Sequence, residues 1–332
     1  MTKPRVSVVL PMRNAAATIE RAVRSILNST LRELELIVID DGSDDGSAEV
    51  VRKIPDPRLR LLKQESLGVC SAANLGTAKA TAPLIARMDA DDISHPTRIE
   101  KQLSLLYNSG RDLVGCRVRI IDALGQTVES MQRYERWSNA LTEPNQIAAM
   151  RFVELPIVNP TLLAKREVFE LGYREGNWPE DYDLCLRAVG QGYTAAKVPE
   201  VLFDWIDSGN RLTRTDARYS PEAFDRCRKT HLLNGPLAGK NEIDLWGAGQ
   251  TGKPWLRWLQ AEGFTVRHVV EVSPKKIGSL IHGVPVIADT TIPLPDGTPL
   301  IIAVGTVGAR EIIEANLKKK GYIPGKDAWF IC

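Results

Sequence analysis

The sequence predicts an α/β protein in which mostly parallel sheets form two domains. Short apolar or β-branched runs alternate with segments whose apolar residues recur at helical spacing, and this alternation is typical of repeated βα units. The chain has 332 residues, which exceeds the size at which one hydrophobic core usually stops growing. A glycine- and proline-rich stretch at residues 234–240 interrupts the pattern. We therefore expect a first domain over residues 1–235 and a smaller one over residues 240–332.

The first domain is expected to open with three βα units and a fourth strand. The predicted elements are strand 5–10, helix 15–27, strand 34–39, helix 47–53, strand 59–62, helix 69–80, strand 82–86 and a helix from 94 to about 107. A strand over 114–121 follows, and residues 126–157 are interpreted as an insertion with a helix near 146–152. Further strand and helix segments are expected within 162–172, 183–190 and 195–203, before a last helix at 221–233.

The second domain repeats the α/β pattern around a glycine turn. Its predicted elements are strand 243–246, helix 254–261, strand 266–272, strand 300–304 and helix 309–319. Between the first strand and its helix, Gly247, Gly249 and Gly252 fit the G-x-G-x-x-G pattern, and Glu271 ends the next strand, where a ribose-binding acid would lie. These four residues form a candidate second nucleotide site. In the alternative, the glycines serve only tight helix-sheet packing, and the domain is used for docking, dimerisation or partner recognition.

Composition excludes some classes of protein and leaves others open. The chain has 43 Lys and Arg against 41 Asp and Glu, with no long block of like charge, so nucleic acid is not expected as a partner. No apolar run approaches the roughly 18 residues that span a bilayer, and residues 1–5 lack the apolar core of a signal peptide. Five scattered cysteines without a CxxC pair are typical of free thiols. We expect a cytoplasmic protein, with peripheral attachment at the inner face of a membrane left open.

Three carboxylates lie within four residues directly after the predicted strand 82–86. They belong to Asp89, Asp91 and Asp92. Carboxylates crowded in this way repel one another unless a cation neutralises them, and Mg²⁺ or Mn²⁺ prefers such oxygen ligands. The alternative is a solvated turn, because aspartate forms local hydrogen bonds in loops. Ligands of open α/β sheets bind at the carboxyl ends of the strands, so residues 11–14, 40–43 and 89–91 are predicted to converge around a metal-bound phosphate.

These motifs together resemble the family 2 glycosyltransferases of the GT-A fold. The matching segments are residues 6–14, 35–47, the DXD segment 88–93, and 178–187 with its Glu-Asp pair, and the resemblance covers roughly residues 4–230. It implies an inverting transfer of a sugar from a nucleoside diphosphate to an acceptor hydroxyl, with a divalent metal. Residues 240–332 resemble small Rossmann-like modules attached to some bacterial sugar-modifying enzymes.

The resemblance also implies roles for individual residues. Pro11 and Asn14 would line the nucleotide pocket, Asp41 would contact the base, Asp89 would face the ribose or the water shell of the metal, and Asp91 would bind the metal. Arg211, with Arg214, would fold over the pyrophosphate, because arginine suits bidentate phosphate contacts; an exposed loop charge is the alternative.

The Glu-Asp pair is predicted to act on the acceptor. Displacement at the anomeric carbon needs a carboxylate that removes the proton of the acceptor hydroxyl, and Asp181 is our choice for this base, with Glu180 orienting it. The structural alternative is that both acids only stabilise the N-terminus of a helix, and the two interpretations are compatible. Trp178, beside the pair, is a candidate for stacking on a sugar ring.

Two other functions compete with the transferase. A nucleotidyltransferase would show a glycine-rich, basic first loop, which residues 11–15 lack. A catalytically silent nucleotide-sugar-binding scaffold or sensor would not need the full set of acids. We therefore expect an enzyme of bacterial cell-envelope or exopolysaccharide synthesis, with a UDP-sugar favoured as donor and a glycan or lipid-linked acceptor. The sequence does not distinguish Mg²⁺ from Mn²⁺.

Overall fold

The computed structural model describes residues 3–209, 211–306 and 308–332, and it confirms the predicted α/β class. The chain divides into two compact units, Met1–Pro144 with Leu155–Cys227 and Asn145–Glu154 with Arg228–Cys332. Each unit is built on a sheet of its own. That residues 1–235 and 240–332 act as separate functional domains stays a prediction.

The strands follow one another along the chain in the order in which they are numbered. In the first sheet they are β1 Val6–Met12, β2 Leu34–Asp41, β3 Leu59–Gln64, β4 Leu84–Arg87, β5 Ile93–Ser94, β6 Leu113–Ile121, β7 Leu163–Lys165 and β8 Ala195–Ile206. In the second sheet they are β9 Glu242–Trp246, β10 Thr265–Glu271, β11 Leu280–Ile281, β12 Val284–Ala288, β13 Leu300–Ile302 and β14 Ala328–Phe330.

The α-helices among the described residues are numbered in the same way. They are α1 Ile19–Leu27, α2 Ser47–Arg52, α3 Val69–Lys79, α4 Arg98–Ser109, α5 Gln132–Ala140, α6 Pro144–Met150, α7 Arg166–Glu170, α8 Glu180–Gly190, α9 Leu212–Thr215, α10 Pro221–Leu233, α11 Gly252–Ala261 and α12 Ala309–Lys319. Most begin or end within a few residues of the predicted bounds, as expected for boundaries inferred from periodicity.

The first sheet has the order β3-β2-β1-β4-β7-β6-β8-β5. Strand β1 pairs in parallel with β2 and β4, and β2 pairs in parallel with β3. All eight residues of β2 are buried, because helices cover both faces of such a sheet. The carboxyl ends of β1, β2 and β4 therefore meet at one edge, where Asn14, Asp41 and Asp89 lie.

Helix α1 begins later than its sequence pattern predicts. We expected it from residue 15, yet the first helical residue is Ile19. The amide of Ala15 donates to Ser47 Oγ (2.8 Å) and the amide of Ala16 donates to Asp45 Oδ2 (2.9 Å), so these two groups are satisfied by the neighbouring loop. These bonds tie the segment before the helix to the neighbouring loop, and apolar periodicity does not reveal them.

The second sheet has the order β11-β12-β10-β9-β13-β14, in which all pairs except the antiparallel β11–β12 pair are parallel. From β12 to β14 this is the strand order of a Rossmann-like sheet, with its switch point between β9 and β13. The predicted glycine turn follows β9 at this point. The structure thus confirms that the second part of the chain is a small Rossmann-like unit.

Packing alone requires two of the three motif glycines. Gly247 has φ 132°, and a Cβ on it would lie 2.5 Å from the carbonyl oxygen of Ala303. A Cβ on Gly252 would overlap the carbonyl oxygen of Gly247, whereas one on Gly249 would meet no atom within 4 Å. Glu271 accepts from the amides of Val272 (2.8 Å) and Ser273 (3.1 Å) and pairs with Lys276 (3.0 Å). Nucleotide binding by these residues stays a prediction.

The structure can be compared with the sequence for membrane-spanning helices and for the state of the cysteines. Within residues 3–209, 211–306 and 308–332, no helix combines the length and the apolar character needed to cross a membrane. All five cysteines are free thiols in the structure, as predicted from their spacing.

Replacing Gly252 with alanine tests the packing of the glycine turn. Because the new Cβ would overlap the Gly247 carbonyl, we expect Gly252→Ala to destabilise the second unit by about 1–3 kcal/mol, the usual cost of overpacking. Gly249→Ala is the matched control and should change the free energy of unfolding by less than about 0.5 kcal/mol. Urea unfolding followed by tryptophan fluorescence measures both. Equal effects of the two substitutions would contradict the packing explanation.

Candidate active site

The loops after β1 and β2 are joined by hydrogen bonds through Asn14. This residue has φ 50°, a left-handed conformation that asparagine tolerates better than most residues. Its amide donates to Ser43 Oγ (3.0 Å), and its Oδ1 accepts from the amide of Asp44 (3.0 Å). Pro11, at the end of β1, is half-buried and pairs in register with Ile39. The structure thus brings the predicted nucleotide-binding residues Pro11 and Asn14 to the carboxyl edge of the sheet.

Asp41, at the end of β2, holds the loop that precedes α3. Its carboxylate accepts from Gln64 Nε2 (2.6 Å), the Leu67 amide (2.8 Å) and the Gly68 amide (3.0 Å). Only 4% of Asp41 is exposed. The structure therefore gives Asp41 a role that sequence reasoning missed, namely shaping the loop beside the predicted base pocket. Direct contact between Asp41 and a nucleobase stays a prediction.

Asp89, Asp91 and Asp92 form a compact carboxylate cluster. Each offers an oxygen, and these oxygens all lie within 4.8 Å of one another. Asp92 is fully buried and accepts from the Ile206 amide (2.9 Å), whereas Asp89 and Asp91 are partly exposed. Burial raises the pKa of Asp92 to about 7 and also raises the pKa of Asp91. Burial thus disfavours the charged carboxylates, and a bound cation would compensate for this. A donor set made only of oxygens fits a hard divalent cation.

Arg211 is the counter-cation of this cluster in the structure. Its guanidinium group lies 2.7 Å from Asp92 Oδ1, 3.3 Å from Asp91 Oδ2 and 3.5 Å from Asp89 Oδ2. The side chain is buried, and its guanidinium carbon lies 5.2 Å from the ring centroid of Trp205. The cluster raises the pKa of Arg211 despite the burial, which lowers it. With Arg87, which lies 3.2 Å from Asp89 Oδ1, Arg211 supplies two positive charges against three carboxylates, so the ionised site retains an attraction for a further cation.

Arg214 has a different position from Arg211. It pairs with Asp207 through its Nε (2.9 Å). Its side chain is exposed, and its contribution to a phosphate lid stays a prediction.

Glu180 and Asp181 begin helix α8. Glu180 is 4% exposed, and both of its carboxylate oxygens accept from Tyr219 Oη, at 2.8 and 2.7 Å. Burial raises the pKa of Glu180, and burial together with the Glu180 carboxylate raises the pKa of Asp181 to about 8. The pair thus occupies a helix N-terminus, as in the structural alternative, but its high pKa values are typical of functional sites.

Asp181 lines a small cavity with mostly apolar walls. The cavity has a volume of about 20 Å³, which is room for about one water molecule. Asn159 is the other polar residue that contributes to the lining, and the rest are Leu113, Leu155, Ile157, Leu162, Val168, Leu184, Cys185 and Ala188. These apolar neighbours account for the desolvation that keeps the Asp181 carboxyl protonated to high pH.

Arg87 and Tyr173 are site residues that sequence reasoning missed. Arg87 is the last residue of β4 and is 1% exposed, and it donates to Asp89 Oδ1 (3.2 Å). Its guanidinium carbon lies 5.5 Å from the ring centroid of Tyr173. An arginine inside an apolar strand is a signal that could have found it, because buried charges are rare unless paired.

Trp178 lies close to the Glu-Asp pair in sequence, as predicted, and its ring packs against Gly176. A Cβ on Gly176 would lie 2.6 Å from Trp178 Cε2. The indole Nε1 is buried and has no hydrogen-bond partner within the described residues. Stacking of Trp178 on a sugar ring stays a prediction.

Comparison with known proteins finds relatives of this chain. The family model described as "Glycosyl transferase family 2" matches residues 7–171. The succinoglycan biosynthesis protein ExoU of Rhizobium meliloti (strain 1021) is 32% identical over 344 residues, which cover 91% of this chain and 93% of that protein. Its match extends through both units of the chain.

Two solved structures share the fold. The S. aureus TarS 1-349 crystal structure in complex with UDP-GlcNAc aligns with a TM-score of 0.55 at 16% identity and covers 70% of this chain and 67% of TarS 1-349. The mannosyltransferase PcManGT from Pyrobaculum calidifontis, in complex with GDP-Man and Mn²⁺, aligns with a TM-score of 0.51 at 18% identity and covers 79% of this chain and 81% of its own. At these identities the likeness confirms the predicted GT-A fold.

Replacing Asp181 with asparagine should change how stability depends on pH. The folded pKa of Asp181 is about 8, against an ordinary value of 3.8, so the folded state binds a proton that the unfolded state has already lost. Wild-type stability contributed by this group therefore falls as pH rises from about 4 to about 8. We expect Asp181→Asn to be more stable than wild type at pH 8, with the difference shrinking toward pH 4.

Urea unfolding at a series of pH values measures this effect. Asp44→Asn is the matched control, because the Asp44 side chain is exposed and the same charge is removed. The explanation fails if Asp181→Asn and Asp44→Asn show the same pH dependence of the unfolding free energy.

Proposed function

The chain belongs to glycosyl transferase family 2 and is a glycosyltransferase, and from that premise we propose that it transfers a sugar, with inversion, from a nucleoside-diphosphate donor to an acceptor hydroxyl. The observation that carries the proposal is the proximity of the carboxylate cluster to the Glu-Asp pair. Asp89 accepts from Arg87, whose guanidinium carbon lies 5.5 Å from the ring centroid of Tyr173. Tyr173 donates to Asn159, which lines the same cavity as Asp181. Groups suited to a diphosphate and a group suited to proton removal therefore share one site.

On the donor side, Asp91 and Asp89 would hold a divalent metal ion, Mn²⁺ or Mg²⁺. Such an ion, when bound, neutralises charge on the diphosphate as it leaves. The oxygen-only donor set and its incomplete compensation by Arg211 support this assignment. A further support is that a protein of the same fold is solved in complex with GDP-Man and Mn²⁺.

The nucleotide would lie along the carboxyl edge beside the metal ligands. Pro11, Asn14 and the loop held by Asp41 would line the pocket for the base and ribose. Arg211 would contact the pyrophosphate, because its planar guanidinium group already lies at the cluster and suits bidentate phosphate contacts. We favour a UDP-sugar, and TarS, which shares the fold, is solved with UDP-GlcNAc.

On the acceptor side, Asp181 would act as the general base. The acceptor oxygen forms a bond to the anomeric carbon, its proton passes to the Asp181 carboxylate, and the bond from that carbon to the diphosphate oxygen breaks with the electron pair leaving on the diphosphate. A base works best when its pKa lies near the working pH, and a pKa of about 8 satisfies this. Glu180, held by Tyr219, would orient Asp181 or the acceptor.

The biological setting rests on the relative in succinoglycan biosynthesis. It supports a role in the synthesis of a cell-envelope polysaccharide or exopolysaccharide, with a glycan or a lipid-linked sugar as acceptor. For the second unit we keep two proposals, docking or dimerisation and a second nucleotide site at Gly247, Gly249, Gly252 and Glu271. The packing role of Gly247 and Gly252 weakens the second, because it accounts for two motif glycines without a ligand.

Nucleotide-binding calorimetry tests the donor site. Wild type, Asp91→Asn and Asp56→Asn are titrated with UDP, GDP, dTDP and CMP, with and without Mn²⁺. Asp56 is the matched control because it precedes β3 and so lies at the amino-terminal ends of the parallel strands, away from the site. Its carboxylate pairs with Arg58. We expect one diphosphate to bind in a Mn²⁺-dependent way, with a loss of at least about tenfold in affinity, or 1.4 kcal/mol, in Asp91→Asn alone.

Two results would contradict the proposed donor site. One is binding of no nucleotide by wild type, and the other is binding that is indifferent both to Mn²⁺ and to Asp91. With the donor base known, transfer from the matching nucleotide sugars in wild type and Asp181→Asn separates the two halves of the site. Retained donor binding with lost transfer in Asp181→Asn is the result expected for a general base.

A further inference from the structure

Arg87 carries a buried charge that the proposed mechanism does not use. It ends β4 and is 1% exposed. Its Nη1 donates to the carbonyl oxygen of Val9 (3.1 Å) and its Nη2 donates to Asp89 Oδ1 (3.2 Å), while its buried Nε has no hydrogen-bond partner among the described residues. A fully buried guanidinium with one partly exposed carboxylate as its ion-pair partner is a costly way to stabilise a strand, since apolar residues often do as well or better.

The contacts of Arg87 determine how Asp89 presents its carboxylate. Oδ1 of Asp89 accepts from Arg87, whereas Oδ2 lies 3.5 Å from Arg211 and therefore faces the carboxylate cluster. A single charged donor thus fixes which oxygen is available to a ligand of the cluster. Without Arg87, the partly exposed Asp89 side chain would be free to take other rotamers. Binding of a ligand would then have to fix one rotamer of Asp89, at a cost in affinity.

Arg87 is itself held by residues on the acceptor side of the site. Its guanidinium carbon lies 5.5 Å from the ring centroid of Tyr173. Tyr173 Oη donates to Asn159 Oδ1 (2.8 Å), and its backbone is bonded to Asn74 at both N–H and C=O, each at 2.8 Å. Asn159 lines the same cavity as Asp181. A continuous set of contacts therefore runs from Asp89 through Arg87 and Tyr173 to the wall of the Asp181 cavity.

We propose that Arg87 is a positioning residue that orients Asp89 toward the donor site, and that Tyr173 supports it from the acceptor side. This inference rests on the proposed function, because it concerns the same metal and diphosphate site. Arg87 touches neither sugar nor phosphate in this account and acts through Asp89. The expected consequence of losing it is weaker binding of metal and diphosphate, with a fold that remains intact.

The test compares two buried arginines, Arg87→Lys and Arg98→Lys. Arg98 is also fully buried and bonds to the carbonyl oxygens of Pro160 (2.6 Å) and Arg87 (3.2 Å), but it does not contact a carboxylate of the cluster. Lysine keeps the charge at both positions and cannot span two acceptors as the guanidinium does. Near-ultraviolet circular dichroism and the melting temperature report whether each variant folds.

The readout is the binding of Mn²⁺ itself, followed by the electron paramagnetic resonance signal of the free ion with UDP or GDP present. We expect Arg87→Lys to raise the half-saturating Mn²⁺ concentration by about tenfold or more, as is usual when a residue that orients a metal ligand is changed. Arg98→Lys should leave this concentration within about twofold while lowering the melting temperature. Equal half-saturating concentrations in the two variants would overturn the proposal.

A double-mutant cycle tests whether Arg87 acts through Asp89. If it does, Arg87→Lys adds nothing to the loss already caused by Asp89→Asn, and additive losses would contradict this route. Should Arg87→Lys not fold, Tyr173→Phe removes one supporting hydroxyl and should raise the half-saturating Mn²⁺ concentration by up to about fivefold, about 1 kcal/mol. An unchanged value in Tyr173→Phe would overturn the proposal in that case.

Failure of the proposed function gives a different result. If wild type itself binds no nucleoside diphosphate in a Mn²⁺-dependent way, the donor site is wrong and the inference falls with it. If wild type binds normally and Arg87→Lys is indistinguishable from Arg98→Lys, only the positioning role is wrong.

Discussion

The structure of the candidate site depends on negative charge concentrated at one edge of a parallel sheet. Asp89, Asp91 and Asp92 lie within a few ångströms of one another, and two buried arginines, Arg87 and Arg211, approach them from different sides. Arg211 faces the cluster and partly neutralises it, whereas Arg87 lies behind Asp89. When all three carboxyls are ionised, the two cations leave the cluster short of neutral, which is the electrostatic condition for binding a divalent ion.

The carboxyl edge of the sheet brings the two halves of the site together. β1, β2 and β4 deliver the donor-side residues, and α8 delivers Glu180 and Asp181 from a segment about ninety residues further along the chain. On the donor side, burial raises the pKa of Asp91 and Asp92 while Arg211 opposes this shift. At Asp181 the neighbouring Glu180 carboxylate adds to the effect of burial instead. This contrast in environment allows carboxylates in one site to take different chemical roles.

Much of the fold and the identity of the acids could be predicted from the sequence. Apolar runs reveal strands such as β2 because a strand buried on both faces has few polar residues, and three aspartates after a strand reveal the cluster. The partners of those acids could not be predicted. Arg211 is 119 positions away from Asp92, and the Asp41 contacts depend on how the loop at 64–68 folds back. Such pairings depend on tertiary geometry, for which periodicity carries no signal.

The second unit shows that packing can account for part of a sequence motif that is typical of ligand binding. Its G-x-G-x-x-G pattern occurs in the predicted place after β9, yet the close approach of Gly247 to Ala303 and of Gly252 to Gly247 already requires glycine at two positions. A motif that packing explains in part is weaker support for a ligand than its sequence suggests. The carboxylate cluster differs, because placing three like charges together, one of them fully buried, has no packing advantage.

The most direct measurement of the central claim is the position of the metal. Crystals grown with Mn²⁺ and either UDP or GDP would be measured at the manganese absorption edge, so that the anomalous signal locates the ion independently of the remaining density. The account predicts one strong peak between the Asp91 carboxylate and the diphosphate, with Asp89 Oδ2 directed toward it and Oδ1 still bonded to Arg87. A nucleotide bound without a peak at Asp91, or bound only at the glycine turn after β9, would contradict the account.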